Sequence, residues 1–397
     1  MRYEVGYSRE ERSSGYGTFR QGIADAIRES GTSVEHVEPL PMIDRMRLRE
    51  GPITYRSKRH KFKRYLDERE LIPAERRADN GPVTREGVCR LNLDLAERWV
   101  WDGAERRVGF TMWETDELPS SGDFAWLPML RTAQTVIVPN SSNVELMREA
   151  GCQDVRRVPL AVDTDTYPYY DRTSRIPAIR AGTRPFIYLM LGELTYRKAF
   201  DLALSAFGQL WANDPTAWLV LKTRGQSPFM DRRTPDHRHS YAGAPYAWYV
   251  DREAAPNVLV LRGSWRRESI QRLYEAADCF LWPSRGEGYG LPPREAAATG
   301  LPVISTTHTG LEDAKRWALP IDSSTGGRAF FKIWGYCGRY QEPDEQQLVE
   351  AMRWVYDHYG QALAFGRSAR EYLKQRTWQD VADETLAITR EVRQHAA

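Results

Sequence analysis

Apolar residues in this chain recur as short runs separated by stretches of helical spacing. Tyr3-Glu4-Val5-Gly6-Tyr7 predicts a first strand. After Ser13-Ser14-Gly15-Tyr16-Gly17-Thr18, the spacing of Phe19, Ile23, Ala24 and Ile27 predicts a helix with Thr18 as its cap. Residues 88–95, 107–113, 135–140 and 157–160 read as strands, and residues 144–150 as a helix capped by Ser141 or Ser142. The stretch 171–185 contains Pro177, Gly182 and Pro185 and few periodic apolar positions, which predicts a domain boundary. Beyond it, residues 186–191, 218–221, 258–261 and 279–282 read as strands. Helices are predicted around Leu202 to Leu210 and Ile270 to Ala277. Strand and helix alternate on both sides of the boundary, so the expected class is α/β, with two wound parallel sheets in tandem.

Composition narrows the function classes. Of 397 residues, 41% are apolar and 28% charged, a globular balance. The longest apolar run, Phe186 to Leu191, falls far short of the ~20 residues needed to span a bilayer. Met1-Arg2-Tyr3-Glu4-Val5 lacks a signal core, and Cys89, Cys152, Cys279 and Cys337 form no CxxC pair. A soluble, cytoplasmic protein is expected, rather than a disulfide scaffold or a zinc ribbon.

Charge is unevenly spread. The whole chain carries only +2, yet residues 45–64 hold nine Lys and Arg against Glu50, a net +8. Arg45, Arg47, Arg49, Arg56, Lys58, Arg59, Lys61, Lys63 and Arg64 alternate with Tyr55, His60 and Phe62, and Tyr65 follows. Such a surface suits the phosphates of duplex DNA, with aromatics beside them to stack on bases. An anionic membrane surface is the alternative, although only Phe62, Tyr65 and Leu66 offer it an apolar face. A solvated basic loop is the third reading. The polar loop 224–246 adds Arg224, Arg232, Arg233, His237, Arg238 and His239 as further phosphate contacts.

The chemistry concentrates in Pro283-Ser284-Arg285-Gly286-Glu287-Gly288-Tyr289-Gly290-Leu291-Pro292-Pro293-Arg294-Glu295, followed by Gly300-Leu301-Pro302-Val303. A strand, a glycine loop and a helix opening near Pro292 or Pro293 place backbone N–H groups of Gly290 and Leu291 where a diphosphate can sit. One of Glu287 and Glu295 can reach a sugar while the other accepts two hydrogen bonds from a ribose diol. Arg197 and Lys198, from the first strand–helix turn after the boundary, can neutralise the phosphates. Gly15 and Gly17 form a similar but weaker turn in the first half. Asp163-Thr164-Asp165 matches a DxD metal pattern but lies just before the linker, where a plain turn is expected.

The segment resembles the donor-site motif of glycosyltransferase family 4. Pro283-Ser284, glutamates eight positions apart and Gly300-Leu301-Pro302-Val303 carry the resemblance. Tyr274 to Asp278, Gly192 to Lys198, Ser14 to Gly17, Val162-Asp163, Glu342-Pro343-Asp344 and Trp378 are similar to further family signatures. Two positions depart from the pattern: Glu193 stands where the family has a phosphate-binding Arg, and Ala199 where it has Gly.

The resemblance implies a GT-B fold, two facing Rossmann-like domains with a cleft between them. Residues 1–175 would form the acceptor-side domain, with a basic insertion over about 40–106. Residues 176–378 would form the donor domain, and the helix within 379–397 would cross back. It also implies transfer of a hexose from a nucleotide-sugar with retention and without a bound metal or other cofactor. Glu287, Lys198 and Glu114 are then the candidate catalytic residues. Gly15, Gly17, Arg197, Lys198, Arg262, Glu287, Tyr289, Gly290, Leu291 and Glu295 would hold the donor. Asp116, with Arg56, Lys58, Arg59, Lys61, Lys63 and Arg64, would hold the acceptor; helix-capping or loop carboxylates remain the plainer reading of Glu114 and Asp116. The open acceptor choices are a hydroxymethylated DNA base and a glycan or glycolipid. A non-catalytic nucleotide- or DNA-binding protein on the same scaffold is the rival class.

Overall fold

The computed structural model describes residues 2–6, 15–32, 34–37, 85–99, 101, 103–120, 125–223, 256–331 and 334–392. The basic segment 45–64 and the loop 224–246 lie outside the described residues.

The first unit is built on β1 (Arg2–Gly6), β2 (Val34–Val37), β3 (Arg85–Leu93), β4 (Ala104–Phe110), β5 (Thr135–Val138) and β6 (Val155–Arg157). They form one parallel sheet in the order β2-β1-β3-β4-β5-β6. Helices α1 (Gly15–Glu29), α2 (Leu127–Thr132) and α3 (Ser141–Glu149) cover it. Val136, Ile137 and Val138 are all buried, as expected for a strand covered on both faces. From α1, Phe19, Ile23 and Ile27 pack with Leu91, Leu93 and Phe110 of the sheet, the Phe19 and Phe110 rings meeting edge-on at 4.8 Å.

Two cap assignments are corrected. Helix α1 begins at Gly15, so Thr18 lies inside it rather than capping it. Helix α3 is capped by Asn140, whose side chain accepts the Asn143 N–H at 2.8 Å; Ser141 is already helical. An Asn side chain reaches the third helical N–H as readily as Ser does, which hides the register from sequence.

The second unit repeats the plan. Strands β7 (Phe186–Gly192), β8 (Ala217–Thr223), β9 (Val258–Leu261), β10 (Cys279–Trp282), β11 (Val303–Thr306) and β12 (Leu319–Ile321) form a parallel sheet ordered β12-β11-β10-β7-β8-β9. The boundary stretch holds a short helix, α4 (Ile176–Arg180). Helices α5 (Phe200–Trp211), α6 (Arg267–Ala276) and α7 (Leu291–Ala298) flank the sheet.

An antiparallel hairpin follows, β13 (Ser323–Phe331) and β14 (Gly335–Pro343), then α8 (Glu345–Asp357), α9 (Tyr359–Leu373) and α10 (Trp378–Glu391). Helix α10 returns to the first unit, where Val381, Ala382 and Leu386 join the core of Phe19 and Ile23. The Trp378 ring occupies the space a Cβ on Gly22 would need. A reciprocal pair of bonds between Thr377 and Asp380 starts this helix.

The hairpin ties the units together. Trp113 of the first unit packs against Phe331 and Trp334, with ring centres 4.8 and 5.3 Å apart. The Thr115 hydroxyl donates to the Cys337 carbonyl at 2.8 Å. The N–H groups of Gly338 and Arg339 donate to Glu117 and Asp116 at 3.0 and 2.7 Å.

Candidate active site between the two sheets

Parallel strands present their C-terminal ends to a common crevice, the usual ligand site of open α/β sheets. Here β10 ends in a glycine loop that leads into α7, and the first unit's segment after β4 lies against that loop. A Cβ on Gly286 would stand 2.3 Å from the Glu114 carbonyl oxygen, and one on Gly288 would meet Met112. Only residues without side chains allow this approach. Asn140 Nδ2 donates to the Gly288 carbonyl at 2.6 Å, and the Tyr289 hydroxyl to the Leu160 carbonyl at 2.7 Å. Glu312 of the second unit accepts the Ser141 N–H at the start of α3 and pairs with Arg157 at 3.0 Å.

At the centre, Lys198 Nζ lies 2.5 Å from Glu287 Oε1 and 4.6 Å from the centre of the Trp282 ring. Ser284 Oγ donates to the same carboxylate oxygen at 2.7 Å. Arg197 spans the crevice, at 2.8 Å from Glu114 and 3.5 Å from Glu287, and donates to the Gly286 carbonyl at 2.6 Å. Two cations and two carboxylates therefore balance one another between the units. Burial would raise the Glu287 pKa, but Lys198 and Arg197 outweigh it and hold the carboxylate below its usual range. Burial lifts Glu114 despite its two cationic neighbours. Lys198 is lowered, by burial first and then by Arg197.

The turn carrying the cations is itself braced. Arg285, almost fully buried, donates to both Asp201 and Glu342 and to the Tyr196 carbonyl, with its guanidinium 3.7 Å from the Tyr196 ring centre. Ala199 ends this turn with φ +57, the left-handed backbone that the family's glycine would adopt freely. The Glu193 side chain is exposed, yet close enough to act electrostatically on both Glu114 and Arg197.

One turn into α7, Glu295 accepts the Tyr274 hydroxyl at 3.1 Å and also interacts with the Tyr167 hydroxyl. Burial pushes its pKa up to about 7 against these two donors. Gly290 sits just before α7 with φ +77, and Leu291 is its first residue; among the described residues no side chain caps this helix start, whose first N–H groups have no partner within the helix. Arg294 braces the loop from behind through the Tyr289, Gly290 and Gly310 carbonyls and Asp313.

The remaining sequence-predicted residues lie outside this cluster. Gly15 and Gly17 form the first turn of α1, after β1. Arg262 follows β9 on an exposed rim, and among the described residues no contact joins it to Lys198 or Glu287. Asp116 serves the hairpin contact, accepting the Arg339 N–H. Arg56, Lys58, Arg59, Lys61, Lys63 and Arg64 are outside the described residues. The aspartates of the DxD pattern make a local turn: Asp163 Oδ1 accepts the N–H groups of Asp165 and Thr166 at 3.1 and 2.9 Å. No group of three metal-ligating side chains occurs among the described residues.

The sequence alone assigned no role to Ser284, Arg285, Tyr167, His308 or Thr309. Apart from the Ser284–Glu287 contact, three residues long, their roles depend on contacts between separate segments, which leave no local pattern.

Known proteins resemble this chain in sequence and in fold. Mannosylfructose-phosphate synthase of Agrobacterium fabrum is 27% identical over 230 residues, covering 57% of this chain and 45% of that protein. Glycogen synthase of Mycobacterium tuberculosis is 25% identical, covering 66% and 55%. The chain thus spans about half the length of these curated relatives. Among solved structures, HepE of Anabaena with UDP and glucose superposes with TM-score 0.59 at 12% identity, covering 98% of both chains or more. An α,α-trehalose-phosphate synthase (UDP-forming) from Burkholderia vietnamiensis gives 0.63 at 14%, covering 100% and 98%. These likenesses, with the two facing parallel sheets, establish the GT-B fold. The family described as "Family 4 Glycosyltransferase in conflict systems" matches residues 142–385, well over half of the chain, and this protein belongs to it.

Proposed function

We propose that the protein is a retaining glycosyltransferase that moves a hexose from a nucleotide-diphosphate sugar to a hydroxyl acceptor. The observation that carries this reading is the Arg197–Lys198–Glu287 cluster set beside a helix N-terminus, with Glu295 one turn further on. In this reading the diphosphate takes the place of Glu114 and Glu287 as partner of the two cations. Glu295 accepts the ribose hydroxyls and Glu287 those of the sugar. The bond between the anomeric carbon and the β-phosphate oxygen breaks, and the acceptor oxygen bonds to the same face of that carbon. The departing phosphate oxygen takes the acceptor proton. Negative charge grows on that oxygen as the bond breaks, so fixed cations there act on the transition state. Glu114 lies on the first unit's side of the crevice, and in this reading it orients the acceptor. HepE of Anabaena, solved with UDP and glucose, supports a UDP-hexose as the first donor to try.

For the acceptor we favour a hydroxymethylated base in duplex DNA, because residues 45–64 combine a net +8 with interleaved aromatics. Glycolipid at an anionic membrane surface is the competing outcome. The test is mass spectrometry of hydroxymethylated DNA and of lipid extracts after incubation with nucleotide-sugars. Lys198→Ala and Glu295→Ala should each abolish or strongly reduce turnover in a folded protein. Wild-type rates from either variant would remove the site assignment. Absence of any DNA shift at low salt would remove the DNA reading.

A further inference from the structure

Thr309 adopts φ +51, in the left-handed region where a β-branched residue is an outlier. Such a conformation costs roughly 1–2 kcal/mol and persists where surrounding structure over-determines it. Glycine would hold this backbone at no steric cost, and Gly310 follows immediately. The threonine hydroxyl must therefore do something that glycine cannot.

Its contacts show what. Thr309 Oγ1 accepts the Glu287 N–H at 3.0 Å and lies 3.4 Å from His308 Nδ1. His308 Nε2 lies 3.0 Å from the Ser284 carbonyl, which can only accept, so Nε2 carries the proton and Nδ1 is the acceptor for the Thr309 hydroxyl. Burial of this imidazole lowers its pKa to about 4, which keeps it in that neutral form. Ser284 Oγ then donates to Glu287 Oε1 at 2.7 Å. The directions agree all the way round. The Glu287 amide donates to Thr309, Thr309 to His308, His308 to the Ser284 carbonyl, and the Ser284 hydroxyl to the Glu287 carboxylate. The Gly310 N–H, donating to the Glu287 carbonyl at 2.9 Å, holds the next peptide, so the backbone is tied on both sides of the Glu287 Cα.

We infer that Thr309, His308 and Ser284 form a closed hydrogen-bonded ring that positions the Glu287 carboxylate beside Lys198, with Thr309 as its strained, positioning member. The inference rests on the proposed donor-site role of Glu287. None of the three acts on substrate through this ring; they set where the carboxylate stands.

Thr309→Val keeps the β-branch and removes the hydroxyl, Thr309→Ser keeps the hydroxyl, and Thr309→Gly relieves the backbone and removes the hydroxyl. Amide hydrogen exchange at Glu287 should speed up at least tenfold in the Val and Gly variants and stay near wild type in Ser. In nucleotide-sugar turnover, kcat should fall about tenfold in Val and Gly, the loss expected for one net hydrogen bond, while KM changes less than twofold. Ser should retain wild-type kcat, and Gly should melt above Val despite its lower activity. Unchanged exchange in Val, or recovery of kcat in Gly, would overturn the inference. If the wild type turned over no donor, the functional reading would fail on its own, and the exchange measurements would still decide the ring.

Discussion

Replacing Gly286 by alanine tests whether the crevice works only at its present width. The added Cβ would lie 2.3 Å from the Glu114 carbonyl oxygen and 3.9 Å from Arg197 Cδ. The first of these is a backbone atom of the opposing unit, so no rotamer change relieves it. Restoring an ordinary contact requires the two units to part by about 1 Å, and a misplacement of that size near reacting groups costs on the order of 10² in rate. Overpacking of this kind also costs about 1–3 kcal/mol, or a few degrees of melting temperature. The Arg197–Glu114 distance of 2.8 Å opens with the gap, so the loss should fall mainly on kcat/KM. Steady-state release of nucleotide from the donor, with a thermal melt, measures both effects. Gly360→Ala is the control, because its Cβ meets only Ile176 Cδ1 at 3.8 Å inside α9. Gly286→Ala with kcat/KM within twofold of wild type would refute the reasoning that the site lies between the units.

Three further outcomes are expected. Glu114→Gln releases Arg197 from its partner across the crevice, so calorimetry should find nucleoside diphosphate bound several-fold more tightly while sugar transfer falls; weaker binding would contradict the charge balance described. Burial raises Glu295 from an ordinary 4.5 to about 7, so its contribution to stability is full below pH 4.5 and lost as pH rises through 7. That is a change of about 3 kcal/mol. Buried Glu97, raised to about 8, acts in the same direction, whereas His308, lowered from 6.5 to about 4, opposes both between pH 4 and 6.5. Melting temperature should therefore drop between pH 4.5 and 8, and Glu295→Gln should flatten the part of that drop below pH 7; an unchanged slope there would argue against it. Ala199→Gly removes a left-handed alanine and should stabilise the chain by about 1 kcal/mol, read as a raised melting midpoint.

The strands were legible because those of a sheet covered on both faces read as unbroken apolar runs, as in Phe186 to Leu191 and Cys279 to Trp282. The phosphate turn and the Glu287–Glu295 spacing were legible because a helix start and a glycine loop are local features. The hairpin 323–343 was not. Glycines at 326, 327, 335 and 338 break its alternation, and its role follows from Trp113, Asp116 and Glu117, some two hundred residues earlier. The Arg197–Glu114 pair was hidden for the same reason, and the Thr309 ring because it joins the loops after β10 and β11, which meet only once the second sheet has formed.

Helix α10 has a consequence for how the protein is made. Val381, Ala382 and Leu386 complete the apolar face of α1, yet a ribosome emits them only after the entire second sheet. Until then Phe19 and Ile23 stay partly uncovered, and the core of the first sheet waits for a helix made after the second. A nascent chain arrested before residue 378 should bind chaperones and be cut by protease within its early segment, and release of the tail should shut that window.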